Sequence, residues 1–145
     1  MLKRLAPEMA SLGVALIEQP IPVGDEAELD GWRSTVPLCA DELIDDVDDL
    51  DTAFGRFQVI NIKLDKSGGL TAALTLADAA QQRGFRLMVG CMAGSSLSMA
   101  PAMVLAQRCE FVDLDGPLLQ SDDCTPGFAY EDGLVKEPYI PSLWG

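Results

Sequence analysis

Five short apolar runs, each ending in charged or small residues, restrict what this chain can fold into. VALIEQP (14–20), VPLCADE (36–42), FQVINIKL (57–64), FRLMVGC (85–91) and EFVDLDGP (110–117) each read as a strand. Their ends, taken at Glu18, Asp41, Lys63, Gly90 and Asp113, recur every 22 to 27 residues, a period that holds one strand, one loop and one helix. The segments 24–33, 46–55, 69–83 and 94–108 are the helix candidates between them. In 69–83, Leu70, Ala73, Leu74, Ala77 and Ala80 share one helical face, and Gly84 follows as a stop. Pro101, inside 94–108, predicts a kink or a later start.

Strand and helix in alternation predict an α/β chain with a parallel sheet. Five units are too few to close an eight-stranded barrel, so the choice lies between a doubly wound open sheet and part of a (β/α) barrel. The period stops near residue 117. The predicted domain is therefore 1–117, and 118–145, rich in proline, glycine and acids, is predicted to be an irregular C-terminal tail.

Composition narrows the function. Ten basic residues against 23 acidic ones leave a formal charge of −13, which argues against nucleic acid or an anionic membrane as a partner and favours cations. The chain has no histidine, and Cys39, Cys91, Cys109 and Cys124 form no CxxC pair, so a zinc site is not expected. No apolar run reaches membrane-spanning length and MLKRLAPEMASLG lacks a secretory segment, which predicts a cytoplasmic protein with reduced thiols.

The carboxyl ends of parallel strands form the active face of such folds. Glu18 ends VALIE, Asp41 and Glu42 end VPLCA, Lys63 ends VINI, and Asp113 and Asp115 alternate along FVDLD and so are expected to share a face. Carboxylates on neighbouring strands suit a hard cation such as magnesium. A lysine near that ion would have its ammonium form disfavoured and could act as a base next to a substrate carboxylate. Taken singly, Glu18 or Asp41 is more often a surface ion pair or helix cap, and Cys91 a small buried hydrophobe. Lys66 reads as a solvated strand-end lysine, and DDVDDLD at 45–51 as a solvated helix start with no catalytic role.

In order and spacing, IEQP, CADE, NIKLDKSGGLT, GCM and DLDGP resemble the dipeptide epimerases that act on L-alanyl-glutamate, in the muconate-lactonizing branch of the enolase superfamily. The resemblance implies strands four to eight of a (β/α) barrel. It implies Glu18 and Asp41 as two of three Mg2+ ligands, Lys63 as one of two acid/base lysines, Asp113 and Asp115 as the pair that holds the substrate's amino terminus, and Cys91 as a substrate contact. The implied reaction inverts the glutamyl α-carbon of a small dipeptide by two-base 1,1-proton transfer through a metal-stabilised enediolate.

The family's KxK strand, its aspartate strand and its N-terminal capping domain do not occur in these 145 residues. A fragment, inactive alone and needing a complementing chain or homo-oligomer, is therefore expected. The alternatives are a muconate cycloisomerase or acylamino acid racemase of the same branch, and a non-catalytic remnant or assembly half.

Overall fold

The computed structural model describes residues 1–136, and within them the five expected strands form one parallel sheet in sequential order. They are β1 (Ile17–Glu18), β2 (Leu38–Ala40), β3 (Val59–Lys63), β4 (Arg86–Gly90) and β5 (Phe111–Val112). Sequential order, with each connection returning on the same side, gives a curled half-barrel rather than a doubly wound sheet, whose strand order would reverse. Pairing is longest at the centre, where Val59 to Lys63 run beside Arg86 to Gly90.

Side-chain alternation splits the sheet into two faces. Leu38, Ala40, Ile60, Ile62, Leu87 and Val89 pack outward against Ala73, Leu76, Ala77, Ala80, Ala102 and Leu105, which form the main core. The helices on that side are α1 (Leu2–Ser11), α2 (Leu50–Ala53), α3 (Leu64–Ser67), α4 (Leu70–Gln82) and α5 (Ser96–Ala106). On the opposite face, Cys39, Val59 and Met88, with Leu16 and Phe111 beside them, make a smaller apolar layer. Two residues further along each strand, the same face carries Glu18, Asp41, Asn61, Gly90 and Asp113. The sheet is therefore apolar at the amino end of its inner face and polar at the carboxyl end.

Two helix candidates shrink. Of 24–33 only a 3-10 turn at Glu26–Leu29 remains, and the Glu26 carboxylate turns back to accept the Gly24 N–H at 2.8 Å. Within 46–55, α2 keeps four residues. Upstream of it, Asp49 accepts the N–H groups of Asp45 and Asp46 at 2.9 and 3.0 Å, and Asp46 that of Asp48 at 2.8 Å. These side chains satisfy the backbone locally and compete with a helix. The 69–83 expectation matches α4, which is entered through Gly68 and Gly69 at φ +91° and +103°, a turn that side chains with a Cβ disfavour. Helix α5 continues through Pro101.

The expected irregular tail is corrected as far as residue 136. Ala129–Glu131 and Leu134–Lys136 pair as the antiparallel hairpin β6–β7, closed by Asp132 and Gly133, both at positive φ. Asp-Gly is strong chemistry for a two-residue hairpin turn, and it overrides the lack of hydrophobic period around it. The rest of the 118–145 tail, 137–145, lies outside the described residues. No helix of the described residues is long and apolar enough to cross a membrane.

Candidate active site

Glu18, Gln19, Asp41, Glu42, Asn61, Lys63, Cys91 and Asp113 line one cleft of about 330 Å³ at the carboxyl end of the strands. Each arrives there for a local reason. Glu18 closes β1, Asp41 follows β2, Lys63 closes β3, Cys91 follows β4 and Asp113 follows β5. Gln19 sits at φ +34° and stitches two of these ends together, its Oε1 accepting the Asp41 N–H at 2.9 Å and its Nε2 donating to the Ile21 carbonyl at 3.0 Å. Strand β5 stops at Val112, so Asp113 and Asp115 sit beyond it rather than within a strand, and both are exposed. Only Asp113 lines the cleft; Asp115 begins the 3-10 turn Gly116–Leu119.

The cleft holds four carboxylates, Glu18, Asp41, Glu42 and Asp113, against the Lys63 ammonium. Asp41 is 4 % exposed, and Lys63 donates to its Oδ2 at 2.6 Å. Burial by itself pushes the Lys63 amine down. The hydrogen bond and charge of Asp41, with Glu18 and Glu42 beyond, outweigh burial and hold the amine above the ordinary lysine range. The contact with Asp41 thus favours the ammonium form of Lys63. Burial raises the Glu18 carboxyl; the Asn61 side chain offsets part of this, while contact with Asp41 adds to it. Asp113, although its side chain reaches solvent, is partly desolvated by the cleft wall, which raises it, and the charge of Asp115 adds to this. Cys91, half-buried, is raised by burial, against a hydrogen bond with the Gly116 backbone.

The carboxylates of Glu18, Asp41, Glu42 and Asp113 offer oxygen donors, the set hard cations prefer. The fit is partial. Among the described residues no group of three or more His, Cys, Asp or Glu side chains is arranged to hold a metal ion.

Two residues given no role from the sequence stand inside the cluster. Lys66, expected to be solvated, instead reaches back from α3 to the Asp41 carbonyl at 2.5 Å and to its Oδ1 at 3.5 Å, while also lying 3.6 Å from Asp45. The spacing carried the signal: three residues after a strand end, at the start of a helix, is one turn back over the same mouth. Asn61, a polar residue in apolar VINIK, precedes Lys63 by two positions and so shares its face. Its Nδ2 donates to Glu18 at 2.6 Å.

The segment after β5 is tied to this rim. Buried Ser96, at the start of α5, donates its hydroxyl to Asp123 and accepts the Phe128 N–H at 2.7 Å. Asp123 Oδ1 also accepts the backbone N–H groups of Ser96 and Cys124, each at 2.8 Å. The Tyr130 hydroxyl donates to the carbonyl of Leu114, between the two aspartates, at 2.7 Å.

Comparison with known proteins gives consistent matches. The family model described as "Enolase C-terminal domain-like" matches residues 1–141. An N-acetyl-D-glutamate racemase of a Pseudoalteromonas species is 52% identical over 137 residues, which cover 94% of this chain and 43% of the relative. An L-Ala-D/L-Glu epimerase of Escherichia coli is 43% identical over 125 residues, 86% of this chain and 39% of the relative. Among solved structures, an enolase family member from Agrobacterium tumefaciens with homology to dipeptide epimerases, holding sodium and L-Ala-L-Glu, is similar at TM-score 0.92 and 48% identity, covering 99% of this chain and 44% of that one. A dipeptide epimerase from Methylococcus capsulatus complexed with Mg gives TM-score 0.81 at 32% identity, covering 93% of this chain and 42% of that one. The chain thus spans about two fifths of the length of the relatives it matches.

Proposed function

This chain belongs to the enolase C-terminal domain-like family, and from that premise we propose that its strand-end cluster is part of an active site that moves a proton at the α-carbon of a glutamyl dipeptide. The observation that carries this reading is the convergence of Glu18, Asp41 and Lys63, from three neighbouring strands, on one cleft. Lys63 is the acid/base on one face of the substrate. Glu18 and Asp41 are two of the oxygen ligands of a magnesium ion. When bound there, magnesium supplies positive charge against the negative charge that develops on the substrate carboxylate as the α-proton leaves. To work as a base, Lys63 must give up the ammonium form that Asp41 favours, which requires the Asp41 carboxylate to be engaged by another cation. Asp113, which lines the cleft, would hold the substrate's ammonium group with the charge of Asp115 behind it, and Cys91, in the same lining, would contact the substrate.

A lysine on the opposite face and a further metal ligand would come from polypeptide outside these residues, in the same or a complementing chain. Among the described residues β1 and β5 are the two edges of the sheet, where such polypeptide could add strands. The reaction belongs in the cytoplasm, where the four cysteines stay reduced.

A second reading is favoured by the relative named for N-acetyl-D-glutamate. An N-acetyl group carries no charge, and in that case Asp113 and Asp115 have no ammonium to hold. Both readings act at a glutamate α-carbon. The test is α-proton exchange in deuterium oxide with Mg2+, followed by proton NMR on L-Ala-L-Glu and on N-acetyl-L-glutamate. With the polypeptide that supplies the second lysine and the further ligand present, the expected result is exchange of the glutamyl α-proton in the dipeptide, lost in Lys63→Ala. Exchange that survives Lys63→Ala refutes the role of Lys63, and exchange of the N-acetyl compound alone selects the second reading.

A further inference from the structure

Asn61 is 1 % exposed in the central strand, and its Oδ1 is the one buried side-chain polar atom among the described residues with no hydrogen-bond partner. A fully buried amide in a strand of valines and isoleucines, using one end and leaving the other idle, is not explained by packing. Its Nδ2 spans from β3 across β2 to Glu18 on β1 at 2.6 Å. The neighbouring strand is shaped around it. A Cβ on Gly90 would lie 2.8 Å from both Asn61 Nδ2 and Oδ1 and 3.1 Å from Lys63 Cε, so only glycine at 90 lets the amide and the lysine lie as they do.

We infer that Asn61 is a positioning residue for Glu18: its amide occupies one carboxylate oxygen, turns the other toward the cleft, and Gly90 is the clearance that makes this possible. An aspartate at 61 would set a like charge against Glu18, and an aliphatic residue would fill the space without orienting anything. The amide donates to the carboxylate without adding a charge of its own. The inference rests on the proposed metal-binding role of Glu18 and deepens it, because a ligand already anchored at one oxygen loses less freedom when the other binds a cation.

The test uses Mn2+ alone as a paramagnetic probe on the 145-residue chain, read as distance-dependent broadening of amide signals around Glu18 and Asp41. Wild-type chain is expected to show saturable broadening there. Asn61→Leu should raise the half-saturating concentration by roughly tenfold or more, the usual effect of losing a partner that orients a metal ligand. Its melting temperature should not fall, since an idle buried oxygen is removed with the amide. Gly90→Ala, which keeps every polar group and crowds the amide most closely, with Lys63 Cε next at 3.1 Å, should weaken Mn2+ in the same direction and provides the result should Asn61→Leu fail to fold. Equal Mn2+ affinity in wild type and the folded variants overturns this inference and leaves the proposed function standing. A wild-type chain with no broadening near Glu18 and Asp41 at saturating Mn2+ overturns the metal reading and this inference with it.

Discussion

Replacing Asp41 by asparagine isolates the central ion pair of the cleft. The substitution conserves shape and leaves the main-chain carbonyl that holds Lys66 at 2.5 Å. What disappears is the charge that Lys63 contacts at 2.6 Å, with side chains only 5 % and 17 % exposed on the two partners. Removing one member of a fully buried pair costs about 3–5 kcal/mol, because the other charge is left without compensation. Two features bring the figure down here: the cleft is open to water at Lys63, and the variant relieves the crowding of Glu18 by Asp41. A loss of about 2 kcal/mol remains, near the value of one charge-assisted hydrogen bond. For a chain of this size that lowers the melting temperature by roughly 4–8 °C.

The pH dependence follows from Lys63, whose folded pKa is raised. Such a group contributes its full stability below the unfolded lysine value of about 10.4 and loses it only as pH climbs through the higher folded value. The gap between wild type and variant is thus expected to be flat from about pH 7 to pH 9 and to close only above about pH 10.4, as Lys63 loses its proton. Circular-dichroism melts in chelator, repeated across this range, measure it. An Asp41→Asn chain as stable as wild type, or more stable, would mean that carboxylate crowding outweighs the ion pair, and the account of the cleft would be wrong.

Other perturbations separate structural from chemical roles. Glu18→Gln keeps an acceptor for Asn61 but removes a carboxylate whose pKa is raised by burial; a raised carboxylate destabilises the fold above its own pKa and less as pH falls, so this variant should melt higher than wild type at pH 7 and converge with it in acid. Tyr130→Phe deletes the hydroxyl that binds the Leu114 carbonyl, whose own pKa burial pushes up to about 12, and should cost about 1 kcal/mol, visible as weakened amide protection in β6–β7. Ser96→Ala removes a buried hydroxyl bonded to both Asp123 and the Phe128 N–H, and faster proteolysis between residues 121 and 128 should report it; an unchanged cleavage rate would show that the tie to α5 contributes little. Lys63→Ala should retain the fold while losing any exchange of substrate α-protons, and a folded variant that still exchanges would remove Lys63 from the chemistry.

The strand positions and the residues that end them were legible in the chain, because alternation and strand-terminating charge are local properties. Runs such as VINIK and RLMVG can bury both faces only inside a covered parallel sheet, and that places Lys63 and Gly90 at its mouth. The long helix α4 was legible for the same reason. The weak helices were not: in 46–55 the aspartates had a choice between a helix and their own backbone, and the packing around Leu50 and Ala53 settled it. Nor were the partnerships within the cleft legible, because they join residues from different units. Lys66 belongs to Asp41, 25 positions away, and Asn61 to Glu18, 43 positions away. The directions in which Glu18 and Lys63 are shifted depend on burial and on charges from neighbouring strands, which exist only once the sheet has curled. The order of residue types thus determines which groups arrive at the carboxyl edge, and the tertiary structure decides which of them touch and how strongly each holds its charge.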